Sequence, residues 1–509
     1  MLHALSSKLS SIVMIAIIAI LIAVPLAMRP ADAIPPEGAE RLIVITPHNT
    51  QIRWEFEHAF SMWHEEHYGT PVVIDYRRPG GTSEILTQLK AIYGAALKRK
   101  TIAPDGSVED GTMPYDLFFG GGSYEHGQTK QGITAMVDGE EIRIPLSRPA
   151  GFTQEELDNY FGENKIGSST LYDPEQYWTG VCVSSFGILY NRDLLRVLSV
   201  EEPTEWRDLT DPKYDGLLAL GDPRQSGSIA TTYESILNMQ GWEQGWRTLR
   251  AMSANARYFT GESKKVVLDI SRGDAAAGVA IDFYGRYQAE AVIQKGAPPE
   301  SSRLGYIDPQ GETFIDPDPI SLLRGGPSPE LADRFLRFVL SEPGQAIWNF
   351  AAQGDDAPTD RLGPRRYNLR RMPIRRVMFE RHMDSFIDQA NPFDAATDAP
   401  SRGWRSMINH MMGAFAIDVH HEMKLAWRAM AEAKQRGADP ALIAEMDALF
   451  NAMPTHTTLD GEELEFNTAN YRTISTDWKN KEAAAEYRIE YTRFFRENYE
   501  RVVELSRGV

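Results

Sequence analysis

The sequence predicts an α/β fold built around parallel strands, and three observations carry that prediction. Short apolar runs alternate with stretches whose apolar residues recur at helical spacing. The order strand, small-residue loop, helix occurs four times, which layers helices on a parallel sheet. The loops follow the strands, and in such sheets ligands sit at the carboxyl ends of the strands.

The first unit is the run Leu42 to Ile45, the loop Thr46-Pro47-His48-Asn49-Thr50, and then Ile52, Phe56, Ala59, Phe60 and Trp63. Asn49 or Thr50 is the expected N-cap. The second is Val72 to Tyr76, the loop Arg77 to Thr82, and a helix carrying Ile85, Leu89 and Ile92. Residues 98 to 113 read as a polar surface excursion. The third unit is Asp116 to Phe119 followed by Gly120-Gly121-Gly122-Ser123. The fourth is Leu217 to Leu220, then Gly221-Asp222-Pro223-Arg224-Gln225-Ser226-Gly227-Ser228, then Ile229 to Leu237.

Between and beyond these units, Val181 to Asn191 reads as a buried strand. A Trp-rich helix carries Trp242, Trp246 and Leu249, and another spans Ser263 to Ser271. The strand Ala277 to Ile281 leads into Asp282-Phe283-Tyr284, and 296 to 303 is loop. Gly305 to Ile307 and Phe314 to Leu323 read as strands, and Ser328-Pro329-Glu330 caps a helix from Leu331 to Leu340. Seven arginines lie between 361 and 376, read as a solvated connector, with a docking surface for an acidic partner as the alternative. From Trp404 the chain is mostly helical: one long helix to a stop at Gly437, another opened by Asp439-Pro440, and a last from about Thr473 to Leu505.

The bulk numbers narrow the function. With 509 residues and 42% hydrophobic content the chain holds about two to four domains and a sizeable core. A net charge of −18 argues against nucleic-acid partners but permits a small anion in a local pocket. The one cysteine, Cys182, excludes an internal disulfide and a CxxC metal site; its apolar neighbours predict a buried thiol. Lys8, the uncharged run Leu9 to Met28 and the pattern Ala31-Asp32-Ala33 predict export through a cleaved signal over residues 1–33, with a retained membrane tether as the alternative. The chain is therefore expected in the periplasm or another extracytoplasmic space. No later segment is apolar enough to span a membrane.

Enzyme signatures are missing. His64-Glu65-Glu66-His67 lacks the spacing of the zinc-protease HExxH motif and reads as the polar end of a helix. No GxSxG elbow surrounds Ser123, Ser226 or Ser228, and no GxxxxGK[ST] loop occurs. His420-His421 reads as a surface pair on a helix. No catalytic turnover and no cofactor are expected. The loops instead offer anion chemistry: Thr82, Ser83, Ser226 and Ser228 present hydroxyls and helix N-terminal amides, and Arg224 adds a charge. A carboxylate, phosphate or phosphonate is the natural guest, and Asp282 or Glu84 facing an amine extends this to a zwitterion.

In the order of these parts the chain resembles the solute-binding proteins of bacterial ABC importers, in the subgroup of ferric-iron, thiamine, polyamine and aminoalkylphosphonate binders. The resemblance rests on Leu42 to His48, Gly80-Gly81-Thr82-Ser83-Glu84, Tyr115 to Gly122, Phe186 to Asn191, Asp222 to Ser228, Gly305 to Gly311, and Leu331 to Gln345. It covers roughly residues 41 to 360. It implies a type-2 periplasmic-binding fold of two α/β lobes joined by two crossover strands, near Gly180 to Asn191 and Phe314 to Leu323. Lobe 1 is then 41–182 plus 315–364, lobe 2 is 190–313, and 365–509 is a mainly helical C-terminal extension.

The resemblance further implies a ligand held in the interlobe cleft and delivered to a membrane permease. The matching positions for that ligand are Pro47, His48, Gly81, Thr82, Ser83, Gly121, Gly122, Arg224, Ser226, Gly227, Ser228, Asp282 and Tyr284. Ferric iron is the alternative ligand, through His48, Glu84 and Tyr284, although only one tyrosine stands where the iron binders carry two. A ligand-sensing signalling protein whose helical tail contacts a membrane receptor is the alternative function.

Overall fold

The computed structural model describes Met14 and residues 38–294, 301–309, 311–356, 358, 361–389, 391–396 and 402–507. The expected export signal, apart from Met14, lies outside the described residues, as do residues 296–300 of the expected loop.

Strand β1 (Glu40–Ile45) pairs in parallel with β2 (Val72–Arg77) and with β3 (Leu117–Phe119). Helix α1 (Thr50–Tyr68) joins β1 to β2, α2 (Thr82–Lys98) follows β2, and α3 (Ser123–Gln131) leaves β3. The hairpin β4 (Ile133–Val137) and β5 (Glu140–Ile144) covers α2, and β6 (Ser147–Arg148) pairs with Leu322 and Leu323 of the sheet. The excursion at 98–113 is not wholly superficial, because Ile102 and Met113 are buried in the cluster beneath that hairpin.

Strand β7 (Thr179–Asn191) is the first crossover. Its first half pairs antiparallel with β12 (Ile315–Leu323) in lobe 1, and its second half with β10 (Ala277–Ile281) and β11 (Leu304–Ile307) in lobe 2. Its near-continuous apolar run follows from burial on both faces. Lobe 2 adds β8 (Leu218–Gly221) parallel to β9 (Ala256–Thr260) and β10, with helices α4 (Gly227–Gln240), α5 (Trp242–Ala254), α6 (Ser263–Arg272) and α7 (Asp282–Ala291). Strand β12 then returns the chain to lobe 1. The sheet order is β2-β1-β3-β12-β7-β10-β8-β9, so one curled sheet runs through both lobes.

Lobe 1 continues past the expected boundary at 364. Helices α8 (Pro329–Leu340) and α9 (Glu342–Asn349) pack on α1, strand β13 (Met372–Pro373) pairs with β7, and Leu369, Ile374, Met378 and Phe386 enter the same core. The Arg-rich segment is accordingly not a solvated connector: Arg365, Arg371 and Arg375 are buried. The Ser328 hydroxyl donates to the Arg41 carbonyl at 3.0 Å instead of capping α8.

The tail also departs from expectation. The long helix is broken into α10 (Arg405–Met412), a wide turn at Gly413–Ile417, and α11 (His420–Gln435). Helix α12 (Pro440–Asn451) and the hairpin of β14 (Thr455–Thr457) and β15 (Glu463–Glu465) follow. The last helical stretch divides into α13 (Tyr471–Asp477) and α14 (Lys481–Ser506), because Asn480 caps a new start by accepting from Glu482 and Ala483. Met407, Met411, Phe415 and Phe495 share one buried cluster with Trp206, Trp246 and Ile236 of lobe 2. At about 1.5–3 kcal/mol per buried large apolar side chain, the tail is part of that lobe's core.

Candidate ligand-binding cleft

Local sequence aims four helix N-termini at one place. The Thr46 hydroxyl accepts from the His48 amide at 3.0 Å and Asn49 caps α1 through Ile52, which turns His48 out of the sheet end. Gly81 precedes α2, where the Glu84 carboxylate accepts its amide at 3.1 Å. Gly121, at φ +117°, takes a left-handed turn that sets Gly122 ahead of α3. Ser226 caps α4, and Ser263 opens α6. The starts of α2, α3, α4 and α6 all border a cavity of ≈ 80 Å³ between the lobes. At about 10–15 Å³ per water this holds roughly five to eight waters, the size of a small ligand or its charged head.

The floor comes from the crossovers and from lobe 1. In β12, Asp316 and Asp318 alternate with prolines and share a face. Arg371 donates to Asp318, to the Ser184 hydroxyl at 2.7 Å and to His48 Nε2 at 3.1 Å. Its guanidinium lies 4.3 Å from the Phe283 ring centre. Burial opposes charge on Asp318, but Arg371 outweighs it and holds the carboxyl below its ordinary value. Burial lowers the His48 pKa. With Nε2 accepting from Arg371, the neutral ring carries its proton on Nδ1, which has no partner among the described residues. Asp316 accepts from the Ser123 hydroxyl at 2.6 Å and the Ser123 amide at 3.1 Å, and burial pushes its pKa up to about 7.

The acidic groups of the floor are therefore paired or pushed toward the neutral form. Arg78 and Lys264 stand on the wall, Arg78 within 3.6 Å of Glu262. Helix N-termini add partial positive charge. The arrangement can hold an anion without a metal or a reactive nucleophile.

The lobes touch across this cavity. A Cβ on Gly81 would fall 2.7 Å from the Gln225 carbonyl oxygen, and one on Gly227 would fall 2.6 Å from Glu125 Oε1. Gln51 donates to the Tyr287 hydroxyl at 2.9 Å, and Arg370 to Glu290 at 2.6 Å.

Of the residues singled out from sequence, Pro47, His48, Gly81 and Thr82 line the cavity from lobe 1, together with Gly121 and Gly122. Ser226, Ser228 and Tyr284 line it from lobe 2. Four others stand elsewhere. Ser83 and Gly227 are set back from the wall. Arg224 is claimed by Asp222, at 2.7 Å, and by Asp418 of the tail, at 3.3 Å. Asp282 accepts from the Phe283 amide at 2.8 Å and faces a separate cavity with Arg286 and Asp308; burial raises its pKa to about 6.

The iron set is not assembled. Glu84 is turned back onto its own helix start, and the His48 Nε2 lone pair is taken by a guanidinium. Among the described residues no three His, Cys, Asp or Glu groups are placed to hold a metal. His64 is a buried core histidine, with Nδ1 2.8 Å from the Thr70 carbonyl oxygen and Nε2 3.1 Å from Arg334.

Sequence reading missed Arg78, Ser184, Lys264, Asp316, Asp318 and Arg371. Two signals were present. The carboxylates sit at period two within an apolar strand, and Arg371 lies among the apolar Leu369, Met372 and Ile374.

Residues 115–366 match the family model described as bacterial extracellular solute-binding protein. The phosphoglycerate transport regulatory protein PgtC of Salmonella typhimurium is 26% identical over 292 residues, 56% of this chain and 64% of that protein. The iron uptake protein A1 of Synechocystis sp. is 25% identical over 190 residues, 35% of this chain and 49% of that protein. The chain thus spans less than two thirds of the length of these curated relatives. Among solved structures, the periplasmic binding protein P5PA superposes with a TM-score of 0.50 at 17% identity, covering 74% of this chain and 99% of that one. The match over residues 115–366 makes the chain similar to the bacterial extracellular solute-binding proteins, and its architecture is a type-2 periplasmic-binding fold with a helical C-terminal region.

Proposed function

We propose that the chain captures a small anionic or zwitterionic solute in the interlobe cleft and presents it to an ABC permease on the outer side of a membrane. One observation carries the reading: four helix N-termini converge on a ≈ 80 Å³ cavity whose buried acids are paired or raised toward neutrality. Thr82, Ser226 and Ser228 supply hydroxyls, Arg78 and Lys264 supply charge, and His48 Nδ1 is an unused donor. Oriented amides and dipoles in a partly dehydrated pocket favour an anionic head group. A phosphate ester is the favoured class, in keeping with the name of the Salmonella relative. The residues define no catalytic constellation, so the solute is expected to leave unchanged.

The test is a thermal-shift screen on protein unfolded and refolded to remove carried-over ligand. The panel is inorganic phosphate, 3-phosphoglycerate, an aminoalkylphosphonate, small carboxylates, thiamine, a polyamine and ferric iron. A ligand at 100 times its Kd adds about 2.7 kcal/mol to stability. Phosphate-ester or phosphonate hits support the reading; a response to ferric iron alone overturns it.

A further inference from the structure

We propose that Arg405, carried by the helical tail, is a positioning residue of the cleft that holds the two lobes closed. The proposal rests on the interlobe cleft being the ligand site. The tail belongs to lobe 2 by packing, yet its first helix sends Arg405 across to lobe 1. Arg405 Nη2 donates to Glu125 Oε1 of α3 at 3.0 Å and to the Gly227 carbonyl oxygen of α4 at 2.8 Å. Its Nη1 donates to the Thr231 hydroxyl at 2.7 Å, with Glu234 3.8 Å away. The guanidinium also lies 4.8 Å from the ring centre of Tyr124 in lobe 1. The Arg405 and Glu125 side chains are 5% and 2% exposed.

Three features make this a clamp and not a surface ion pair. Arg405 grips the first turn of α4, whose Ser226, Ser228 and Thr231 line the ligand cavity, so its position sets theirs. The contact lies where Gly227 meets Glu125, a Cβ at 227 falling 2.6 Å from Glu125 Oε1. Lobe 1 must come fully home before the pair forms. Glu125 Oε2 has no partner among the described residues, so without Arg405 its carboxylate would be buried and uncompensated. Separating the lobes relieves that state by hydration, and a chamber of ≈ 780 Å³ beside Arg405, between lobe 1 and the tail, gives water a path. The tail thereby contributes to how much of the ligand-free protein is already closed, which scales apparent affinity directly.

The measurement is the interlobe distance by pulsed electron resonance on the full chain, ligand-stripped and without added ligand. Spin labels go at Met136→Cys on lobe 1 and Val197→Cys on lobe 2, positions 61% and 79% exposed; the native Cys182 is buried. The unsubstituted clamp should give one narrow, short distance. Arg405→Met should add a population several ångströms longer, Glu125→Gln a smaller one, and Arg405→Lys should restore most of the closed form. Arg247→Met, which removes an ion pair with Asp447 that joins the tail to lobe 2 alone, away from the cleft, should leave the distance unchanged. Identical distances in all variants overturn the clamp, as does opening by Arg247→Met equal to that by Arg405→Met. If Arg405→Met fails to fold, Glu125→Gln against Arg247→Met decides. Because no ligand enters the measurement, a negative result rejects the clamp without touching the ligand reading, and a silent ligand screen leaves the clamp standing or falling on its own.

Discussion

Arg371 and Asp318 form an ion pair beneath the cleft with side chains only 2% and 7% exposed, although the two residues lie 53 positions apart in the chain. His48 and Ser184 complete the arrangement, so one guanidinium ties the first βα loop, both crossover strands and the segment after α9 together.

Breaking that pair from one side should be costly. Arg371→Met leaves Asp318 buried without its counter-charge, and urea denaturation should show a loss of about 3–5 kcal/mol. Combining it with Asp318→Asn should recover a large part. Because the Asp318 carboxyl is held below its ordinary value of 3.8, its contribution is present above that pH and is lost as pH falls through the lower folded value. The gap between the native chain and Asp318→Asn should narrow accordingly below about pH 4. A mild Arg371→Met variant would mean that the pair contributes little.

Asp316 has the opposite sign. Burial raises its pKa from 3.8 to about 7, so the protonated form is favoured by folding. Its contribution is full below pH 3.8 and is lost as pH rises through about 7. Asp316→Asn should gain on the native chain across that window, by up to a few kcal/mol at about 1.4 kcal/mol per pH unit traversed. Melting midpoints at pH 5 and pH 8 check it; a constant difference would contradict the burial argument.

Gly81→Ala should open the molecule without unfolding it. Gly81 has φ −75°, which alanine accepts, so unfolding free energy should change by no more than about 1 kcal/mol. Its Cβ would nevertheless fall 2.7 Å from the Gln225 carbonyl oxygen of the other lobe. Small-angle scattering should report a larger radius of gyration than for the native chain. An unchanged radius would show that the mouth can give.

Arg224→Ala should leave ligand response intact and loosen the tail. The side chain is 30% exposed and spends its donors on Asp222 and Asp418. Hydrogen exchange should accelerate around 413–419, while melting shifts with panel ligands should match those of the native chain. Loss of the ligand response would return Arg224 to the site.

The α/β class, the small-residue loops and the long crossover strand were legible because each depends on local pattern: periodicity, caps and turn residues within some ten positions. Thr82, Ser226 and Ser228, which line the cavity, stand at such loop-to-helix starts. Arg224 was misplaced because its loop looked the same whether its guanidinium faced a ligand or a tail aspartate 194 residues away. The arginine run after 360 was misread because charge density alone does not show which members alternate with core residues.

The sequence by itself determined where most strands, helices and the small-residue loops after the strands lie, since these are properties of short segments. The tertiary structure alone decided which carboxylate meets which guanidinium. Arg371 with Asp318, Arg405 with Glu125, and the tail's place in the core of lobe 2 are set by packing between distant segments. The physical reason is that burial and pairing energies belong to the neighbours a side chain acquires in space, and those are fixed only when both lobes and the tail close around the same cavity.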